Sequence, residues 1–212
     1  MGIKIKLLTK VEEYMGYLEK VHEKIDVKFP LEYVFKQKVF ALFNQIDEIV
    51  GGYSIITNGP FRVVDSLKSQ GVFLGNLDSY GEITGLWLDG KYSKRYSTKM
   101  WLHIYWQLLI SQKKSFLYAY SFRKKSLEKL YSRFPTKVLY QGQVDPLEGM
   151  PSVDYESIEV ISRKEIITFP FKNPGFIFKR IKPVQKVLSL SKKIIAVNVY
   201  AYRMSRRLLF GV

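Results

Sequence analysis

The sequence predicts an α/β (α+β) fold: a mixed, strongly twisted central sheet flanked by helices, with a basic amphipathic helical extension at its C-terminal end. Three observations predict it. Short β-rich runs recur along the chain and alternate with segments that carry helix caps or are too long and apolar to be exposed strands. Apolar types make up 47% of the 212 residues and aromatics 15%, enough for a substantial core. The net charge of +15 is unevenly distributed, because residues 171–212 hold ten Lys and Arg and no Asp or Glu.

Residues 3–7 alternate Ile with Lys, as a short strand does. Thr9 offers an N-cap with Glu12 three positions on, so a helix is expected to about Lys24. Pro30 interrupts the next stretch. Residues 39–43 and 49–56 are β-rich runs separated by a polar stretch, hence a hairpin, which Asn58-Gly59-Pro60 closes as a turn. After a less regular stretch, residues 81–88 form the next strand and Asp89-Gly90 breaks it. Residues 91–99 are a basic segment that leads into a buried helix from about Ser97 to Gln112, rich in Trp101, His103, Tyr105 and Trp106. Residues 115–122 are a strand, 124–133 a charged helix, and 137–143 with 157–161 the last two strands.

From Val184 onward, apolar residues fit an imperfect helical stripe among the basic ones, and the longest uncharged run, 194–202, is far short of the roughly 20 residues that span a bilayer. Such a segment suits an anionic membrane surface or an acidic protein; a helix packed on its own domain is the alternative. The expected division is 1–165 for the folded domain and 166–212 for the extension.

No cysteine is present, which excludes thiolate catalysis, disulfides and cysteine-based metal sites. His22 and His103 are the only histidines, so no metal is expected. The first residues alternate Lys and Ile instead of forming an apolar run, so the expected compartment is the cytoplasm.

The order of elements, together with Leu86-Trp87-Leu88, the basic stretch before the apolar helix, and Phe116-Leu117-Tyr118-Ala119-Tyr120 followed by Leu130-Tyr131-Ser132-Arg133-Phe134, resembles the GNAT (N-acetyltransferase-like) acyltransferase superfamily over about residues 1–165. The family's phosphate-wrapping glycines fall here on Lys94, Tyr96 and Thr98, its Arg/Gln on Ser93, its Asn on Lys124 and its terminal Gly on Pro135. The acyl-homoserine-lactone synthases and long-chain N-acyl amino acid synthases also lack those glycines. They carry a Glu-(Ile/Leu)-(Ser/Thr) strand before a basic segment, which Gly81-Glu82-Ile83-Thr84 resembles.

The resemblance implies transfer of an acyl group from acyl-CoA, or from the phosphopantetheine of an acidic acyl carrier protein, to a primary amine, an amino acid or a lipid precursor. It implies that the backbone of Leu86, Trp87 and Leu88 pairs with the pantetheine arm. Phosphate would sit at the start of the Ser97 helix, near Lys94, Arg95, Tyr96, Ser97, Thr98 and Lys99, with side-chain cations replacing glycine geometry. Tyr131 matches the proton donor to the departing sulfur. Glu82 is the candidate base, since burial raises a carboxylate towards the working range. Two other classes remain open: a catalytically degenerate binding module, and a basic nucleic-acid-binding protein, against which stand the missing recognition motifs and the amphipathic placement of the charge.

Overall fold

Residues that alternate between two apolar surfaces build a single seven-stranded sheet, because a period of two sends successive side chains to opposite faces. In β2 (Lys38–Phe43), Val39 and Ala41 join the core on one face, while Phe40 and Leu42 join the core on the other. The computed structural model describes residues 2–122, 125, 134–150 and 152–176. Within them the strands are β1 (Lys4–Leu7), β2, β3 (Ile49–Ile56), β4 (Tyr80–Leu88), β5 (Ser115–Ser121), β6 (Lys137–Val144) and β7 (Asp154–Ser162), in the spatial order β1-β2-β3-β4-β5-β7-β6. All neighbours are antiparallel except β4 and β5. The mixed sheet and the expected hairpin are both present.

Helices cover both faces. On the first face lie α1 (Val11–Ile25), α2 (Leu31–Phe35) and α3 (Arg62–Ser69), whose Tyr17, Val21, Tyr33 and Leu67 share a core with Leu117 and Ile158. The second carries α4 (Gly90–Ile110) and α5 (Arg163–Lys172), through Met100, Leu108 and Ile166. The expected Thr9 cap is shifted by one residue. Glu13, not Glu12, accepts from the backbone N–H groups of Thr9 and Lys10, and the N-cap is Lys10. The stretch that Pro30 interrupts and the one read as less regular hold short helices, α2 and α3, whose apolar sides complete the first core.

The expected start of α4 at Ser97 is wrong by two turns. Asp89 does not break the chain but caps it: its Oδ1 accepts from the Lys91 N–H at 3.1 Å, and its carbonyl accepts from Tyr92 and Ser93. The helix therefore nucleates at Gly90 and takes in the whole basic segment. Apart from residue 125, the charged helix expected over 124–133 lies outside the described residues, as does the extension beyond Phe176. The chain divides into two units, residues 1–169 and 170–212, and the candidate site belongs to the first. No helix among the described residues is long and apolar enough to cross a membrane.

Candidate active site

The sheet parts at its one parallel junction. β4 and β5 pair only through Tyr80 with Ser115, Gly81 with Phe116 and Glu82 with Leu117. Beyond Glu82, β4 runs on to Leu88 and β5 to Ser121 without pairing, so a wedge opens between them. A bulge on β4 accentuates it. Between the pairs Gly52–Trp87 and Ser54–Thr84 one extra residue is inserted on β4, and there Gly85 takes φ +61°, a left-handed conformation open to glycine at no steric cost. The Tyr17 hydroxyl donates to the Gly85 carbonyl at 3.1 Å and holds the bulge from the first face.

A cavity of about 320 Å³ fills the wedge and passes from one face of the sheet to the other. Its second-face part is apolar, walled by Trp101, Ile104, Tyr105, Leu108, Ile166 and Phe169 from α4 and α5. Tyr105 donates to the Ile166 carbonyl at 3.1 Å, which ties the two helices together. The first-face part is polar and contains Glu82, Arg62, Ser66, Asp154 and Glu156. Two loops close it: Lys28 donates its N–H to the Gly149 carbonyl at 2.8 Å, and Val27, Phe29, Leu147 and Met150 line the wall behind that contact.

Glu82 stands at the vertex, where strand pairing ends, and is fully buried. Tyr33 Oη donates to its Oε1 and the Val63 N–H to its Oε2, each at 3.2 Å. Burial pushes the carboxyl up to about 8, against the opposing pull of these hydrogen bonds and of Arg62. Burial likewise pushes Glu156 up to about 7, with Asp154 adding to the shift and Arg62 opposing it. The cavity thus holds two carboxyls that exchange protons near neutral pH, a property associated with acid–base work.

On β7, Glu159 behaves in the opposite way. Burial acts to raise its pKa, but hydroxyls from Thr136, Tyr118, Tyr120 and Ser157 all donate to it and hold it below the usual carboxylate range. Tyr118 and Tyr120 line the cavity, so this buried anion fixes two of its walls.

The expected site residues divide. Glu82 and Leu86 line the cavity; Trp87 turns to the first core and pairs with Gly52, and Leu88 pairs with Gly51. None of Lys94, Arg95, Tyr96, Ser97, Thr98 and Lys99 lines it. All six lie inside α4, where backbone N–H groups are taken by the preceding turn, so an amide cradle at Ser97 is ruled out and the free amide end lies at Gly90. Lys99 donates to the carbonyl of Ile3, just before β1, and Arg95 lies over the Tyr96 ring. Tyr131 lies outside the described residues. His103 sits away from the cavity, its Nδ1 2.5 Å from the Tyr53 hydroxyl, with Phe40 at its ring edge. Among the described residues no group of three or more acidic or histidine side chains could hold a metal ion.

Sequence reasoning missed Tyr33, Arg62 and Glu156. They come from a five-residue helix, a helix start and a strand far apart in the chain, and no local motif marks them.

No family model and no curated protein sequence matches the chain. Solved structures do match. FeeM, an N-acyl amino acid synthase from uncultured soil microbes, superimposes with a TM-score of 0.51 over 77% of this chain and 94% of that one, at 13% identity. An N-acetyltransferase from Staphylococcus aureus Mu50 gives 0.54 over 77% and 99%, at 12% identity. Spermidine N-acetyltransferase from Vibrio cholerae, in complex with CoA and spermine, gives 0.51 over 78% and 98%, at 6% identity. The chain has the GNAT fold.

Proposed function

On this fold, we propose that the protein is an N-acyltransferase that moves an acyl group directly from a phosphopantetheine thioester, carried by CoA or acyl carrier protein, to a primary amine. The observation that carries the reading is the wedge between β4 and β5 with a buried carboxyl at its vertex. The unpaired edge of β4 beyond Glu82 offers backbone groups to an extended pantetheine arm. The apolar second-face part of the cavity suits the acyl chain, and the polar first-face part suits the amine. At the free end of α4, the dipole and the cations Lys91, Lys94 and Arg95 favour the donor's phosphate.

In the reaction the neutral amine nitrogen attacks the thioester carbonyl, the C–N bond forms and the C–S bond breaks. Glu82 takes the proton that the nitrogen sheds, directly or through one water, which it can do only in its ionised form. The departing thiolate needs a proton in turn. By resemblance that donor is Tyr131.

Purified protein incubated with acyl-CoA and acyl carrier protein donors of graded chain length, across an amine panel, tests the reading by thiol release and product mass. Amide product with at least one donor is expected. No turnover with any donor, together with no donor binding, overturns it. The basic extension of residues 171–212 would serve the same chemistry by meeting an acidic carrier protein or an anionic membrane surface. Deleting it should then weaken use of carrier-protein donors or binding to anionic vesicles, and unchanged behaviour in both assays contradicts that role.

A further inference from the structure

The helix expected to be buried, α4, is buried on one side only. That side packs on the sheet through Met100 and Leu108, and Trp101, Ile104 and Tyr105 beside it wall the apolar part of the cavity. Trp106 stands two residues from both Ile104 and Leu108, hence about 200° round the helix from that side, and Ile110 lies one turn further on. They are 59% and 47% exposed. Two large apolar side chains one turn apart on the outer side form a patch, which marks an interaction surface where a lone exposed residue would not. Cations frame it. From Gly90 to Lys114 the chain holds Lys91, Lys94, Arg95, Lys99, Lys113 and Lys114 and no Asp or Glu, and none of the six forms an ion pair among the described residues. Lys99 and Lys113 each donate to a backbone carbonyl, which places their charge without neutralising it.

We infer that the outer side of α4 docks on an anionic membrane surface, with Trp106 and Ile110 entering the boundary between headgroups and acyl chains. An indole is favoured at headgroup depth, and uncompensated cations on both sides of it are drawn to anionic lipid. The helix lies on the bilayer, since no helix among the described residues is long and apolar enough to cross one. Other occupants fit less well. A carrier protein bringing a donor would meet α4 at Gly90, about 24 Å along the axis from Trp106, and would leave the patch bare. A second copy of this chain, at +15, or its own residues 171–212, with ten cations and no anion, would set like charge against like. The docking does not depend on acyl transfer. If both hold, the helix that rests on the lipid is also the one that walls the apolar part of the cavity.

The chain has no cysteine, so Ile110→Cys in the full chain gives a single attachment point for an environment-sensitive fluorophore. Met15→Cys, exposed on α1 over the first face of the sheet, is the reference. With phosphatidylcholine vesicles containing about a third phosphatidylglycerol, the label at 110 should shift to the blue and become shielded from a water-soluble quencher, while the label at 15 stays as it is in buffer. Capture by the basic extension alone would carry the protein to the vesicles without changing the label at 110, so that outcome overturns the inference. So do equal changes at 110 and 15, an equal shift with phosphatidylcholine alone, or a larger shift with an acidic carrier protein or duplex DNA than with vesicles. A shift that needs no vesicles and grows with protein concentration marks a second copy and refutes it too. The double variant Trp106→Glu/Ile110→Glu, its extension intact, should co-sediment with the anionic vesicles at least tenfold more weakly, and unchanged co-sedimentation contradicts the docking. Should that variant fail to fold, the label at 110 still decides.

Discussion

Glu82 and Glu159 are buried carboxyls on neighbouring parts of one sheet, and their partners send them in opposite directions. Glu82 has one hydroxyl and one amide against full burial, and its pKa rises to about 8; Glu159 has four hydroxyls, which outweigh burial and hold it low. The proposed mechanism needs Glu82 ionised, so the rate should climb with pH through about 8. Glu82→Gln should lower kcat roughly 10²- to 10⁴-fold and remove that step from the profile. A variant that retains the step shows that another group sets it. Stability carries the opposite sign. With its folded pKa above the unfolded 4.5, the neutral Glu82 stabilises fully at low pH, and the advantage is lost as pH rises through about 8. Thermal melts between about pH 5 and 9 should therefore fall more steeply for the unsubstituted protein than for Glu82→Gln. Glu159, being lowered, stabilises above the ordinary carboxylate range and loses that contribution as pH drops through its folded value. Removing its carboxylate strands four hydroxyls, two of them on the buried rings of Tyr118 and Tyr120, so Glu159→Ala should cost about 3 kcal/mol, read by urea denaturation. Of these groups only Glu82 was legible in the sequence, because Gly81-Glu82-Ile83-Thr84 places a carboxyl inside a strand. Tyr33, Arg62 and Glu156 carry no such local mark, and only the packing of α2, α3 and β7 brings them to it.

At the scale of elements, strands were legible and helix starts were not, for a physical reason. Period-two alternation is visible in any short window, so β2, β3, β4 and β5 fall within a residue of expectation. A helix start depends on which side chain caps which amide, and Asp89-Gly90 reads equally as a strand stop or as a cap. The structure resolves this through the Asp89–Lys91 bond, moving the basic residues from a loop into α4. Loop contacts are still less legible. Gly149 takes φ +81°, and a Cβ there would lie 1.8 Å from the Lys28 carbonyl oxygen, the group beside the hydrogen bond that joins the two loops behind the cavity wall. Gly149→Ala must push those loops apart. It should lose about 3 kcal/mol and roughly 10 °C in Tm, and it should raise the acceptor KM, since Phe29 and Met150 shift with the loops. A melting temperature and KM equal to those of the unsubstituted protein would show that the two loops are not held by this contact.

For the whole molecule, the decisive feature is how little joins the two arms of the sheet. β1 to β4 form one arm and β5, β7 and β6 the other, and their strand ladder has only three residue pairs, Tyr80–Ser115 to Glu82–Leu117. Beyond Glu82 the facing edges of β4 and β5 make no ladder bonds to each other, which leaves room for a polar arm to run between them. Because the cavity crosses the sheet, donor and acceptor would approach the vertex from opposite faces and compete for one limited volume. The apolar end is bounded by the side chains of α4 and α5, against which an acyl chain would have to lie. Volume at the apolar end should therefore set the longest acyl chain accepted. Ile104 on α4 lines that end, between Trp101 and Leu108 one turn away on either side. Ile104→Trp fills it, and the longest donor used efficiently should shorten by two or more carbons, read as kcat/KM across C2 to C16 thioesters. If the cut-off stays where it was while Ile104→Trp melts like the unsubstituted protein, the acyl chain does not lie against α4, and the assignment of the two faces must be reversed.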